Sequence, residues 1–216
     1  MKRLTLTICV AVVLFACSND KKANESKAVE PATATTETKT EQAPAMDPAT
    51  MNKAMQDFAT PGKMHQWLAS LNGTWSAEVI GYMDPSKPDT SKASQTYAMT
   101  LNGLYQEGKL EGNMMGMPFE GRSVTGFDNA KKMFVSTWID NLGSGIIVMT
   151  GSYDEASKTL HLKGTQSNPV TGKDSGIREV MKMIDDNTYT LEMYGDGYDG
   201  KETKFMEGIF KRKSKS

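Results

Sequence analysis

After Trp75 the chain becomes a succession of short segments rich in Thr, Val, Ile, Tyr, Phe and Met, each closed by Gly, Asn, Asp or Pro. Segments of this length and composition read as β-strands. About ten are expected, over 74–81, 95–102, 104–112, 118–126, 131–139, 145–153, 158–165, 176–184, 188–194 and 202–211. No helical periodicity interrupts them. The turns Gly126-Phe127-Asp128-Asn129-Ala130-Lys131, Gly151-Ser152-Tyr153-Asp154-Glu155-Ala156 and Ile184-Asp185-Asp186-Asn187 set Asp or Asn turn formers after an apolar residue, and the first two are alike enough to suggest a repeated hairpin. Connections this short force neighbours to pair antiparallel, which makes the sheet a meander. An open meander would expose two pairing edges, and closure removes them. The expected fold is all-β, an antiparallel meander β-barrel of about ten strands.

Two short helices are expected ahead of the strands. Asp47-Pro48 supplies an N-cap and a proline at the first helical position, with Met51, Met55 and Phe58 following at helical spacing. Thr60-Pro61 repeats the device, and Met64, Trp67, Leu68 and Leu71 form one apolar stripe that ends at Gly73. This second helix should cap one end of the barrel with Trp67 turned inward. His65 lies off the stripe and is expected at the surface.

The N-terminus has another character. Lys2-Arg3 precedes the apolar run Leu4 to Phe15, too short to span a bilayer, and the run ends in Leu14-Phe15-Ala16-Cys17. The pattern resembles a bacterial lipoprotein signal, which implies cleavage before Cys17, lipidation of its thiol, and membrane attachment through acyl chains. Ser18 in the second mature position resembles the outer-membrane sorting default, so the expected location is the cell envelope, at the outer membrane. Cys9 falls in the segment to be removed, which leaves no disulfide to hold the domain. Residues 17–46 are poor in large apolar side chains and read as a disordered tether. The expected organisation is thus a signal at 1–16, the tether at 17–46, helices at 47–72 and the barrel at 73–212. A formal net charge of -1 offers no basic field, and nucleic acid is not an expected partner.

A helix running into Asn72-Gly73-Thr74-Trp75-Ser76, followed by a meander, resembles the Gly-x-Trp start of lipocalin and fatty-acid-binding barrels. The resemblance implies that Trp75 plugs the closed end and that a basic residue near the last strand, Lys211 or Arg212, stacks on it. The stretches 112–121, 126–129, Ser136-Thr137-Trp138-Ile139-Asp140 and Leu191-Glu192-Met193-Tyr194 resemble more closely the bacterial domain-of-unknown-function family 1579, over roughly residues 61–212. That family implies a lipocalin-like barrel and brings no established activity, so no catalytic residue is carried over.

The residues themselves argue against most chemistry. Beyond the signal there are only His65 and His161, which removes most metal sites and nucleophile-plus-base arrangements. His161 alternates with Leu160 and Leu162, and a haem ligand would need it inside the barrel. The loop holding Asp196 and Asp199 is acidic and glycine-rich, but its spacing fits no calcium loop. Asp185 and Asp186 project apart from a turn. No metal or cofactor is expected. The many strand methionines suit an adaptable core or a pocket for varied lipids. Trp138, Asp140, Arg178, Glu192 and Tyr194 are the candidates for polar groups lining a ligand cavity, with the loop from Tyr82 to Lys92 at its mouth. The expected function is non-catalytic binding of a small lipid-like ligand at a membrane surface. The alternatives are a filled barrel that docks an envelope partner, and an enzyme using Asp140 or Glu192 as base.

Overall fold

A computed structural model describes residues 47–84, 86–114, 116–197 and 200–215. Cys17 and the tether at 17–46 lie outside the described residues, as do Pro85 and Asp199. Helix α1 spans Pro48–Phe58, and the Asp47 carboxylate caps it by accepting from the Ala49 and Thr50 amides, both at 3.0 Å. The whole helix is exposed, including Met51, Met55 and Phe58.

Helix α2 spans Lys63–Ser70 and departs from expectation at its start. Its N-cap is Gly62, not Thr60, whose hydroxyl instead donates to the Gln56 carbonyl at the end of α1. His65 is not at the surface but 2% exposed. Its Nδ1 accepts the Gly62 amide at 3.0 Å, and its ring meets Phe127 edge to face at 6.0 Å. Serving as the cap's partner turns the imidazole toward the barrel. Burial holds its pKa below the ordinary histidine value, opposed by a hydrogen bond to the Phe127 backbone.

Ten strands follow: β1 Gly73–Gly81, β2 Asp89–Thr100, β3 Tyr105–Met114, β4 Met117–Asp128, β5 Met133–Asp140, β6 Ile147–Asp154, β7 Thr159–Ser167, β8 Asp174–Asp185, β9 Thr188–Asp196 and β10 Glu202–Ser214. Each pairs antiparallel with its chain neighbours, and β1 pairs with β10 to close the barrel. Strand β2 begins six residues before the expected 95, at Asp89, because it pairs with the whole of β1, from Gly73↔Tyr97 to Gly81↔Asp89. Ladder hydrogen bonds sustain a polar stretch there that carries no hydrophobic pattern, and the loop after Tyr82 is correspondingly shorter.

Alternation sorts the side chains into an inner and an outer set. The inner set is densest at the end covered by α2. Leu68 and Leu71 meet Trp75, Phe134 and Tyr189 there, all at or below 2% exposure. Trp67 packs on Tyr153 at 4.5 Å and on Phe134 at 5.4 Å, while Tyr189 stacks on Phe210 at 4.5 Å. This end is the floor. Gly73 makes the bend from α2 into β1 with φ +113, where a side chain would strike the Ser214 carbonyl.

Trp75 is completely enclosed, so truncating it removes both its transfer energy and the packing of its neighbours. Trp75→Ala should lower stability by about 3–5 kcal/mol, read as a fall in the denaturant midpoint with an unchanged slope.

Candidate functional site: the barrel lumen

The floor is sealed by polar as well as apolar contacts. The last carbonyls of a helix lack partners within it, and inward side chains from three strands supply them here. Gln106 of β3 donates to Leu68 O at 2.5 Å, and the Trp75 indole N–H of β1 donates to Leu71 O at 2.8 Å. Arg212 of β10 donates to Asn72 O at 2.6 Å and Ser70 O at 2.8 Å, and to Asp186 O. Its guanidinium also lies 4.0 Å above the Trp75 ring. Register explains the meeting, since Trp75 and Arg212 face each other across the β1–β10 seam. Lys211 points outward and is exposed.

Above the floor the wall carries a polar cluster. Ile177, Glu179 and Met181 share the inner face of β8, and the residues directly opposite Glu179 are Leu162 of β7 and Met193 of β9. Ile177, Met181 and Leu162 are buried at 4%, 4% and 2% exposure, which fixes that face as inward. The phenols of Tyr97 and Tyr189 face one another with 3.2 Å between their oxygens. Burial raises both phenol pKa values, and the charge of Glu179 adds to each. Burial alone pushes the Glu179 carboxyl up to about 7. Glu179 makes no hydrogen bond or ion pair with any described residue. Tyr97 and Glu179 are thus desolvated by surrounding protein, yet both retain free surface. Free surface on enclosed groups means that they border an interior space.

The five residues expected to line a cavity divide. Trp138 and Asp140 lie on the inner phase of β5, which also carries the buried Phe134 and Ser136. The Trp138 indole donates to Asp140 at 2.8 Å, and Asp140 also accepts the Leu142 amide at 2.9 Å. Trp138 stacks on Phe119 at 6.4 Å and lies over Gly121, where any side chain would collide with the indole. This pair stands at the end of the barrel opposite α2.

Arg178, Glu192 and Tyr194 are corrections: all three occupy the outer face. They alternate with Ile177, Glu179, Leu191 and Met193, whose inward phase leaves them no other side. Arg178 holds Glu202 by two hydrogen bonds and lies 3.8 Å over the Tyr194 ring. Tyr194 donates to Glu192 at 2.9 Å, and Lys204 bridges Glu192 and Glu207. The Tyr82 hydroxyl completes the network by donating to Glu207 at 2.5 Å. An outer groove of about 680 Å³ lies beside it, lined by Ser76, Glu78, Thr190, Glu192, Ile209 and Lys211 among others. These charges satisfy one another in solvent, the usual condition of an exterior cross-strand lattice.

Glu179, Tyr97 and Tyr189 are the interior polar residues that sequence reasoning missed. The missed signal is the phase of β8: a carboxyl two residues from each of Ile177 and Met181 shares their face. His161 is exposed, on the face opposite Leu160 and Leu162. Among the described residues no group of three or more His, Cys, Asp or Glu side chains is arranged to hold a metal ion.

A closed ten-stranded antiparallel meander with a helix sealing one end defines the class, a barrel of the lipocalin-like kind. The family model described as "Protein of unknown function (DUF1579)" matches residues 60–212, and the chain belongs to that family. The fold is similar to the crystal structure of Rv2717c from M. tuberculosis, with a TM-score of 0.57 at 11% identity, covering 72% of this chain and 100% of that one. A redesigned beta barrel is also similar, with a TM-score of 0.36 at 12% identity, covering 68% of this chain and 95% of that one. No curated protein matches at a significant level.

The interior carboxyl gives stability a definite pH dependence. Unfolded, Glu179 ionises near the ordinary 4.5; folded, it does so near 7. The unfolded chain therefore releases this proton first, and stability is lost as pH rises from 4.5 through about 7, with no further loss above. Glu179→Gln removes the effect. Its stability relative to the unaltered chain should improve by roughly 2–3 kcal/mol between about pH 4 and pH 8, measured by denaturant titration at each pH. His65 is common to both chains and cancels in the difference.

Proposed function

We propose that this protein is a membrane-tethered binding protein whose barrel holds a small amphipathic molecule without transforming it. The observation that carries the reading is Glu179: a carboxyl with no partner among the described residues, on the inner face of the wall between apolar neighbours. A barrel filled only for stability gains nothing from such a group, because an unpaired buried polar atom costs free energy that an apolar side chain would not. A ligand pocket has the opposite requirement: apolar walls with a few polar groups left free for the guest. Leu162, Met181, Leu191 and Met193 supply the walls, and the thioethers adapt to guests of differing outline.

No step of acid or base catalysis is proposed. Asp140 is engaged by Trp138 and Leu142, and Glu192 is paired outside the wall with Lys204. The tether belongs to the same proposal. The sequence Leu14-Phe15-Ala16-Cys17 supports lipidation of Cys17 and an outer-membrane address, which would hold the barrel near membrane-derived guests. A docking role is the second reading, favoured by the outer-face residues Val124, Ile139 and Val148, which are 44%, 47% and 49% exposed on adjacent strands.

Two measurements test these statements. Native mass spectrometry of the full chain should show a bound small molecule, and Leu162→Trp, which crowds the lumen, should empty it while circular dichroism still reports a folded barrel. Protein that is empty as isolated and takes up no apolar dye would overturn lumen binding; a protein partner retained by Leu162→Trp would favour docking. Acyl chains on Cys17 should appear as a mass increment that Cys17→Ser abolishes.

A further inference from the structure

The lumen's charge inventory says what kind of guest it suits. Four charged groups lie on the inner phase among the described residues: Arg212 at the floor, Asp140 and Asp89 toward the far end, and Glu179 between them. Arg212 is consumed by three backbone carbonyls and the Trp75 ring. Asp140 is consumed by an indole and an amide. The phenols of Tyr97 and Tyr189 face each other. Asp89 has an interaction of its own, so Glu179 alone is unengaged, and among the described residues the inner wall presents no free cation to meet it.

A carboxylate guest, such as a fatty acid, would bring a second negative charge beside Glu179 with no basic residue free to receive it. Either the guest or the protein would have to hold a proton. A guest with an ammonium has the reverse effect, because it supplies the missing cation and lets Glu179 ionise in a pair that is both charged and hydrogen-bonded. We propose that the lumen accepts a lipophilic amine, its ammonium bound to the Glu179 carboxylate and its hydrocarbon laid against Leu162, Met181, Leu191 and Met193. The proposal rests on the binding function argued above and narrows its ligand class.

Guests of one chain length and different head groups separate this proposal from its parent. Dodecylamine, dodecanol and dodecanoate are titrated calorimetrically into the full chain at neutral pH, below their aggregation concentrations. The amine should bind at least about tenfold more tightly than the carboxylate, the ratio expected of one charge-assisted contact. Glu179→Gln should weaken the amine by a similar factor while leaving the alcohol nearly unchanged. That variant removes a buried charge and keeps the shape, so loss of folding is not a competing explanation. Amine binding should also release part of a proton near pH 7, seen as a heat that varies with the buffer's ionisation enthalpy. The groups facing Glu179 do not supply that proton, since burial raises the phenols of Tyr97 and Tyr189 above their ordinary range, and Arg212 holds its charge.

Equal affinity for all three guests, or preference for the carboxylate, overturns the amine assignment and leaves lumen binding standing. Failure of all three together with exclusion of apolar dyes overturns both. Amine affinity that survives Glu179→Gln and the lumen-crowding variants Leu162→Trp and Leu191→Phe places the amine outside the barrel, which also overturns the assignment.

Discussion

The fold depends on how the carbonyls at the end of α2 are satisfied. A helix of eight residues has little stability of its own, and its terminal acceptors need partners wherever water is excluded. Gln106, Trp75 and Arg212 reach them from β3, β1 and β10. The helix is thereby fixed to both sides of the seam where first strand meets last. Trp75 contributes twice: its ring fills the floor and its N–H binds the helix. Arg212 links the same ring to the helix end and to the β8–β9 turn through Asp186. Closure of the barrel and docking of the helix are one event in this arrangement, since the residues that seal the floor also face each other across the closing ladder.

Much of that architecture was legible in the sequence, because its causes are periodic or local. Turn formers spaced by strand-length runs gave ten strands, and short connections left the meander as the one economical topology. The helix stripe ending at Gly73 located the floor. What failed had no periodic signal. The polar residues from Asp89 to Lys92 read as loop, yet the β1 ladder holds them as strand. His65 fell off the apolar stripe, yet it caps its own helix by turning inward.

The polar interior was misread for a different reason. Arg178, Glu192 and Tyr194 were chosen by residue type and position along the chain, whereas strand phase decides which side they face. Each sits one residue from a wall-facing position, and a shift of one moves a side chain from lumen to solvent. Glu179 was visible by the same rule, between Ile177 and Met181, and its neighbour Arg178 drew the reading away from it.

The contrast between the two faces bears on function more than either face alone. Outside, Arg178 with Glu202 and Lys204 with Glu192 and Glu207 are partnered at little cost, because water screens each member and remains available to it. Such pairs add little stability and imply no task. Inside, one carboxyl is left without a partner where water is scarce, and burial shifts its ionisation toward neutrality. The fold could relieve that cost with an amide or a methylene at the same position and lose nothing at the floor, where the stabilising contacts are concentrated. A group that weakens the empty protein yet completes an ion pair once occupied raises the free energy of the empty state relative to the bound one, and that difference contributes to affinity. The ligand proposed above therefore accounts for the interior carboxyl better than the stability of the fold does.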